Sequence, residues 1–305
     1  MILKTLFILG DIGFLNRNLL NTVNHIGSQM TMNDKIVIMG DNFYPIGVKN
    51  INDNQWDNYD SIFKNINKNN IYSILGNHDY LQNPASQINN NKWIMDDFYY
   101  KKEFDNIDLY FLDTSQFNIH TWVPKDKTEK VHNLKIEQLI KNQIDWLDRE
   151  MSKNREKKKL VFGHYPIVTN GVYKYSVKDM EKYFYDIFKK HNVNVYISGH
   201  EHNIQYLRRL FNTNKNQFNI LEKIFNFSKF QLYKNNSIEN KYDILHQIIV
   251  GSSSEFRKEE NYLNNYDMFD DNDIFYGKIV VMSNYLILQY FNIHNQLKYE
   301  YRIDY

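Results

Sequence analysis

The sequence of 305 residues has no cysteine, only 11 glycines and four prolines, and a single alanine, Ala85. Without cysteine, the protein cannot use disulfides, thiolate nucleophiles, cysteine-ligated zinc or iron–sulfur clusters. Net charge is also nearly absent, because 37 Lys and Arg side chains offset 36 Asp and Glu side chains to leave +1. This balance argues against the basic surface that nucleic-acid binding needs, so no nucleic-acid partner is expected.

Long apolar runs are missing as well. No stretch approaches the ~20 apolar residues that span a bilayer. The apolar run Met1–Leu9 lacks the small-residue cleavage site of a signal peptide and continues directly into Gly10-Asp11, which favours a buried strand. We therefore expect a cytoplasmic protein with no membrane partner.

Asn, Lys, Ile, Tyr and Phe are abundant instead, a bias typical of AT-rich genomes such as those of some protists and large DNA viruses. Hydrophobic residues make up 42% of the chain and aromatic residues 16%, which is enough for a sizeable core.

Short β-branched or aromatic runs that end in a polar residue recur along the first two thirds of the chain. They predict buried strands, and apolar residues at helical spacing predict helices between them. Strands that alternate with helices predict an α/β domain, whose ligands bind at the carboxyl ends of the strands. The predicted strands are Met1–Leu9, Lys35–Met39, Ile71–Leu75, Leu109–Leu112, Lys159–Phe162 and Val193–Ser198, and the predicted helices are Asn16–Met30, Gln55–Asn65, Gln138–Met151 and Val177–Lys190.

The alternation of strands and helices stops after Gln205. The region 208–245 is rich in Asn, Lys and Phe without a clear period and is interpreted as an inserted excursion. Strands return at His246–Val250, and the last three, Lys278–Ser283, Tyr285–Phe291 and Leu297–Ile303, have the short connections of a β-meander. No repeat or linker divides the chain, so residues 1–305 are predicted to form one domain.

Five of the 11 glycines directly precede a side chain that can bind a metal ion, namely Asp11, Asp41, Asn77, His164 and His200. Glycine after a strand lets the backbone turn sharply, so these side chains should meet at one edge of a sheet. Their oxygen and imidazole donors suit Fe(III), Fe²⁺, Zn²⁺ or Mn²⁺. With His202 the set is too large for one ion and fits two ions that share a carboxylate, an arrangement suited to phosphoryl chemistry.

These residues occur in five blocks that resemble, in order, those of the calcineurin-like metallophosphoesterases, and most closely the purple acid phosphatases of the tartrate-resistant type. Most of that superfamily has Asp-x-His in the first block, whereas Gly13 stands at the His position here. Purple acid phosphatases supply a tyrosinate instead, and Tyr44 occupies that position. The blocks are Gly10-Asp11-Ile12-Gly13, Gly40-Asp41-Asn42-Phe43-Tyr44, Gly76-Asn77-His78-Asp79-Tyr80, Gly163-His164-Tyr165-Pro166 and Gly199-His200-Glu201-His202-Asn203.

The resemblance implies a four-layer αββα fold, in which two mixed sheets form a sandwich flanked by helices. It also implies a metal-dependent phosphoric monoester hydrolase, in which a hydroxide on two metal ions attacks a small phosphorylated substrate. By this resemblance, Fe(III) would be held by Asp11, Tyr44 and His202, and Fe(II), Zn(II) or Mn(II) by Asn77, His164 and His200, with Asp41 bridging the ions. His78 would stabilise the phosphoryl oxygens or protonate the leaving group.

One position departs from the family pattern. A further histidine usually follows the fourth-block histidine by about nine residues, and Tyr173 stands there in this chain. We hypothesise that acid catalysis is reduced as a result. Asn42, Tyr173 and Lys174 are the candidate substrate-binding residues, although an ordinary loop is an alternative interpretation of the last two.

Two other functions remain open from the sequence. A phosphodiesterase or protein phosphatase could use the same core, but Tyr44 and the missing first-block histidine argue against it. A non-catalytic scaffold is the other alternative, because some acid-phosphatase-like proteins serve as membrane-complex anchors. In that case the region 208–245 could be a partner surface, and the metal ligands would be expected to have been lost.

Overall fold

The computed structural model describes residues 4–121, 130–171, 173, 177, 180–210, 244–254, 269–270 and 273–304. Within these residues the strands form two sheets, one of six strands and one of seven. Both sheets contain parallel and antiparallel neighbours, as the family resemblance implies.

The six-stranded sheet, sheet A, contains both ends of the described chain. Its order is β13-β12-β11-β1-β2-β3. The parallel strands β1, β2 and β3 place their carboxyl ends at one edge, while β11, β12 and β13 form the predicted antiparallel meander. The strands are β1 (Lys4–Leu9), β2 (Lys35–Ile38), β3 (Ile71–Ser73), β11 (Phe275–Val281), β12 (Tyr285–Asn292) and β13 (Leu297–Asp304).

The seven-stranded sheet, sheet B, follows the order β10-β8-β9-β7-β6-β5-β4. Here β5, β6, β7 and β9 are parallel, whereas β4 and β8 pair antiparallel with their neighbours. The strands are β4 (Tyr100–Phe104), β5 (Ile107–Leu112), β6 (Lys158–Gly163), β7 (Val195–Ser198), β8 (Ile204–Leu210), β9 (Ile244–Val250) and β10 (Phe269–Asp270).

All four predicted helices are present, with shifted ends. The Asn16 side chain accepts a hydrogen bond from the Leu19 N–H and so caps the first helix. The third helix begins eight residues before the predicted start at Gln138, and the fourth begins at Met180. The helices are α1 (Arg17–Gln29), α2 (Gln55–Phe63), α3 (Lys130–Lys153) and α4 (Met180–Lys190).

Two clusters of buried apolar residues hold the sheets and helices together as layers. The larger one joins both sheets to the buried faces of α1 and α2, and the smaller one lies between sheet B and the helices α3 and α4. The sheets also meet through single contacts, such as the Tyr290 hydroxyl of β12, which donates to the Gln205 carbonyl of β8 at 2.8 Å. The fold is therefore the expected αββα sandwich.

Two sequence interpretations need correction. Residues 208–210 and 244–245 are not part of an excursion, because they lie in β8 and β9, which pair directly. Residues 211–243 lie outside the described part of the chain. The sequence also gave no indication of β4 or β10. The single-domain prediction for 1–305 stays a prediction.

The structure was also searched for membrane-spanning segments. In the part of the chain that the structure describes, no helix combines the length and the apolar character needed to cross a bilayer.

Candidate metal centre

Both sheets contribute side chains to one site, at the edge where their parallel strands end. Sheet A supplies Asp11 after β1, Asp41 after β2 and Asn77 after β3. Sheet B supplies His164 immediately after β6, and the turn after β7 carries the two other histidines, His200 and His202. Parallel strands that share an edge thus bring together residues that are up to 191 positions apart.

The glycines at this edge permit close backbone approach. A Cβ on Gly10 would lie 1.6 Å from the Val250 carbonyl oxygen, and one on Gly76 would lie 2.2 Å from the Asp41 amide nitrogen. The left-handed backbone conformation of these turns is adopted mainly by the ligand residues themselves, because Asp11, Asp41 and His200 have φ values of 53°, 50° and 69°. The expected role of glycine as the turning residue holds for Gly40, whose φ is 89°.

A first group of donors gathers around the Tyr44 hydroxyl; Asp11, Tyr44 and His202 are called the Tyr44 group below. The Tyr44 oxygen lies 3.3 Å from Asp11 Oδ1 and 3.1 Å from His202 Nε2. All three side chains are at least nine-tenths buried. These are the three residues that the resemblance assigned to Fe(III).

A second group gathers around the Asn77 amide oxygen; Asn77, His164 and His200 are called the Asn77 group. The Asn77 Oδ1 lies 3.0 Å from His164 Nε2 and 3.1 Å from His200 Nδ1. The rings of His164 and His200 have their centroids 5.1 Å apart. These are the residues that the resemblance assigned to the divalent ion.

Asp41 lies between the two groups. Its Oδ2 accepts a hydrogen bond from the Tyr44 hydroxyl at 3.0 Å, and its Oδ1 lies 3.5 Å from His164 Nε2. Ligand atoms of Asp11, Asp41 and His164 all lie within 4.8 Å of one another. One carboxylate therefore directs one oxygen to each group, as a bridging ligand would.

The His164 ring is oriented for binding a metal ion through Nε2. Its Nδ1 lies 2.8 Å from the Met39 carbonyl oxygen, and a carbonyl can only accept, so Nδ1 carries the proton. Burial lowers the pKa of His164, which favours the neutral imidazole that a metal ion requires. The Nε2 lone pair then faces Asn77 and Asp41.

His78 lies beside the Tyr44 group. Its ring stands edge-on to the Tyr44 ring at a centroid distance of 4.7 Å. Its Nδ1 lies 2.6 Å from the Pro45 carbonyl oxygen, so Nδ1 donates and Nε2 is the ring atom left for a substrate. The His78 backbone N–H also donates to Asp41 Oδ1 at 2.9 Å.

The substrate-binding candidates fare differently. The Tyr173 ring packs against the His200 ring, with 4.4 Å between the ring centroids, so Tyr173 borders the Asn77 group. The Asn42 side chain is fully buried, and its amide N–H groups donate to Ile74 O and Gln87 Oε1, each at 2.9 Å. These bonds give Asn42 a role in shaping its loop. Lys174 lies outside the described residues.

The donor set fits two cations. Two carboxylates, a phenol, an amide oxygen and three imidazoles converge in a largely buried site, and buried carboxylates require compensation by positive charge. Oxygen and imidazole donors of these kinds are ligand types of hard and borderline metal ions.

The sequence interpretation missed the loop that supports Asp11. After β9, the Ser254 hydroxyl donates to the Asp11 carbonyl, and the Ser253 Oγ accepts from the Gly10 N–H at 3.0 Å. A Cβ on Gly251 would lie 1.6 Å from the Glu201 carbonyl oxygen. The signal was present, because Gly251-Ser252 follows an apolar strand as the other glycine-polar pairs do.

Asp79 was missed as well. It is fully buried and accepts hydrogen bonds from the backbone N–H groups of Asn42 and Gly76 and from Gln87 Nε2 at 2.9 Å. The pKa of Asp79 is raised to about 7, and burial is the largest cause of this increase. Asp79 thus links the loops that carry Asp41 and Asn77.

An αββα sandwich with carboxylate, phenol, amide and imidazole donors at its strand ends defines a class of metal-binding proteins. The chain belongs to the calcineurin-like phosphoesterase family, whose model matches residues 4–203. It is 30% identical over 193 residues to tartrate-resistant acid phosphatase type 5 of Homo sapiens, covering 57% of each protein. It is 29% identical over 208 residues to purple acid phosphatase 7 of Arabidopsis thaliana, covering 65% of this chain and 63% of that protein. The chain thus spans less than two thirds of these relatives' length.

Two solved structures share the fold. A structure of GAP50, described as the anchor in the inner membrane complex of Plasmodium, has a TM-score of 0.70 at 18% identity, covering 100% of this chain and 89% of that one. Purple acid phosphatase PPD1 from yellow lupin has a TM-score of 0.63 at 14% identity, covering 99% of this chain and 54% of that one. At these identities the likeness concerns the fold alone.

Proposed function

We propose that the protein is a metal-dependent phosphoric monoester hydrolase of the acid phosphatase type, acting on a small phosphorylated substrate. The observation that carries the proposal is Asp41, whose two carboxylate oxygens face two separate groups of ligand-type side chains. Membership of the phosphoesterase family and the similarity to acid phosphatases of animals and plants support it.

In this proposal Asp11, Tyr44 and His202 hold Fe(III), and the Asn77 group holds Fe(II), Zn(II) or Mn(II), with Asp41 shared. When bound, the ions would supply positive charge for the phosphoryl oxygens and activate water for in-line displacement. The protein itself positions two of these ligands, because His164 Nδ1 donates to the Met39 carbonyl and the Ser254 hydroxyl donates to the Asp11 carbonyl.

His78 is proposed to act on the substrate. In the imidazolium form both ring nitrogens carry a proton, so Nδ1 donates to the Pro45 carbonyl while Nε2 can donate its proton to a phosphoryl oxygen or to the leaving alkoxide. The ring is only partly buried, so its Nε2 can reach a substrate without a change of fold.

The two alternative functions, a non-catalytic scaffold and a phosphodiesterase or protein phosphatase, can be distinguished from the proposed enzyme. A scaffold protein has no need to keep seven ligand-type side chains in contact, and their contacts therefore favour an enzyme. A phosphodiesterase or protein phosphatase would require a larger substrate, and comparison of kcat/KM on a monoester and a diester separates it from the proposed enzyme.

The test combines elemental analysis, visible absorption and activity on the purified protein. We expect two metal ions per chain and a tyrosinate–Fe(III) absorption band that Tyr44→Phe abolishes, because the phenol oxygen is its donor. Asp41→Asn should lower kcat at least ~100-fold, since it removes the carboxylate shared by both ions.

Asp34→Asn is the matched control for Asp41→Asn. Asp34 is also buried, but it lies at the opposite end of β2, where it accepts from the Thr5 N–H at 2.8 Å. This variant should keep both ions, the absorption band and the activity. A metal-free protein without phosphatase activity would contradict the proposal and favour a scaffold.

A further inference from the structure

A buried carboxylate joins the two sheets behind the loop that carries Asn77 and His78. Asp113 follows β5 of sheet B and is fully buried. Its Oδ2 accepts a hydrogen bond from the hydroxyl of Tyr80, which lies in the short helical turn Asp79–Leu81 after β3 of sheet A. This contact lies outside both groups of ligand-type residues.

Asp113 is itself held firmly. Gln143 of α3 binds its backbone twice, with Oε1 accepting from the Asp113 N–H at 2.9 Å and Nε2 donating to the Asp113 carbonyl at 3.1 Å. Gln116 Nε2 donates to the same carboxylate oxygen at 2.8 Å and lies 3.2 Å from the Tyr80 oxygen. The acceptor of the Tyr80 hydroxyl is thus fixed to β5 and α3.

The Tyr80 end of the contact is one turn away from the site. The Tyr80 N–H donates to the Asn77 carbonyl at 3.3 Å, and the Leu81 N–H donates to the His78 carbonyl at 3.2 Å. A displacement of Tyr80 would therefore move Asn77 and His78 with it.

This coupling matters because the Asn77 group draws on both sheets. Asn77 belongs to sheet A, while its partners His164 and His200 belong to sheet B. Their relative position depends on how tightly the loop after β3 is held against sheet B. The Tyr44 group also draws on both sheets, but its three members lie on loops other than the one after β3.

The contact keeps a titratable group in a fully buried position. The Asp113 carboxylate is bonded to a phenol and an amide, and burial raises its pKa to about 7. Burial is also the largest cause that raises the pKa of Tyr80 well above its usual value, so the hydroxyl remains protonated and donates. A neutral or apolar pair would avoid the desolvation of a carboxylate.

We propose that Tyr80 and Asp113 are positioning residues, which hold Asn77 and His78 in place for the divalent ion and the substrate. This proposal rests on the proposed function, because it assigns the Asn77 group to that ion. It predicts a selective effect: loss of the contact weakens the site of the Asn77 group and leaves the Tyr44 group intact.

Tyr80→Phe tests the proposal in the 305-residue chain, loaded with Fe(III) and titrated with Zn²⁺ or Mn²⁺. We expect the Kd for Zn²⁺ or Mn²⁺ to rise at least ~10-fold and kcat to fall by a similar factor, while the tyrosinate–Fe(III) band is unchanged. Asp113→Ala should give the same pattern. Asp113→Asn keeps an oxygen that can accept from Tyr80, and it should restore most of the affinity for the divalent ion.

Tyr100→Phe is the matched control. Tyr100 is a buried tyrosine of sheet B whose hydroxyl also crosses to sheet A, where it donates to the Ser73 carbonyl at 2.7 Å. Its partner Ser73 belongs to β3 itself and not to the loop after it, so the loss of this hydroxyl should reduce thermal stability without changing the affinity for either ion.

The positioning role would be overturned if Tyr80→Phe and Tyr100→Phe reduced stability equally and neither changed the affinity for the divalent ion. The proposed function would remain in place. A wild-type protein that binds no second ion would overturn the proposed function, and with it this inference. If Asp113→Ala fails to fold, the comparison between Tyr80→Phe and Tyr100→Phe still decides.

Discussion

Single residues at the candidate metal centre are held in a conformation that most side chains avoid. Asp11, Asp41 and His200 have left-handed φ values of 53°, 50° and 69°, which cost about 1–3 kcal/mol each. Each follows a glycine that packs against neighbouring backbone or a ligand side chain, as Gly199 does beside Asp11 Oδ2. The surrounding packing therefore maintains the strained turns that direct these side chains into the site.

Tyr173 stands where the family pattern usually has a further histidine. Its ring packs against His200 at 4.4 Å, where it can shape the substrate site, but a phenol is a weaker acid than an imidazolium. We expect Tyr173→His to raise kcat about tenfold at acidic pH, since general acid catalysis contributes 10²–10⁴-fold in enzymes generally. The measurement is the pH profile of kcat on a monoester.

Tyr173→Phe serves as the control, because it keeps the ring against His200 and removes only the hydroxyl. It should leave the pH profile close to that of the wild type if the phenol does not act as the acid. An unchanged kcat and pH profile in Tyr173→His would refute the idea that acid catalysis is reduced in this protein.

At the scale of secondary-structure elements, strand ends fit together with little free space. Gly10 lies at the end of β1, where an added Cβ would be 1.6 Å from the Val250 carbonyl oxygen at the end of β9. The methyl group would separate the sheets next to Asp11. We therefore expect Gly10→Ala to lower the free energy of unfolding by about 3 kcal/mol or more.

Gly27→Ala provides the comparison within α1. There the added Cβ would meet the Ile66 Cδ1 atom at 2.9 Å, which is the end of a flexible side chain. Alanine also favours a helix over glycine by about 1 kcal/mol, so stability should change by no more than that amount. Urea unfolding measures both effects, and equal losses in the two variants would contradict the packing argument.

For the molecule as a whole, the buried His246 of β9 affects how stability depends on pH. Burial, the larger cause, and the nearby Arg208 lower its pKa to about 3, and the Tyr206 hydroxyl contacts its Nδ1 at 2.8 Å. The unfolded chain gains a proton near pH 6.5, whereas the native state does not. Stability is therefore complete above pH 6.5 and is lost as the pH falls towards 3.

By pH 5 this histidine should cost about 2 kcal/mol of stability relative to pH 7. His246→Gln has no proton to gain, so the difference in unfolding free energy between wild type and variant should change by that amount over the interval. Urea unfolding at pH 5 and pH 7 measures it. A difference that is independent of pH would show that His246 titrates normally in the folded protein.

The fold could be predicted where local patterns agree with the global arrangement. The parallel strands and the C-terminal meander have β-branched runs bounded by turn residues, and α1 has its Asn16 cap and the buried face of Leu19 and Val23. The strand β8 could not be predicted in full, because Arg208 and Arg209 interrupt its apolar pattern. Its pairing with β9 is a long-range contact that local composition does not indicate.

The sequence by itself determined which donors exist and in which order they follow the strands, because glycine was kept at points of close backbone approach and cysteine was absent. Only the tertiary structure decided how the donors are grouped, with Asp41 between the Tyr44 group and the Asn77 group. It also revealed the contacts that Asp79, Asp113 and the loop after β9 make near these donors. Contacts such as Tyr80 to Asp113 and Ser254 to Asp11 join the two sheets between residues that are not neighbours in the chain, so their distances depend on how the sheets pack.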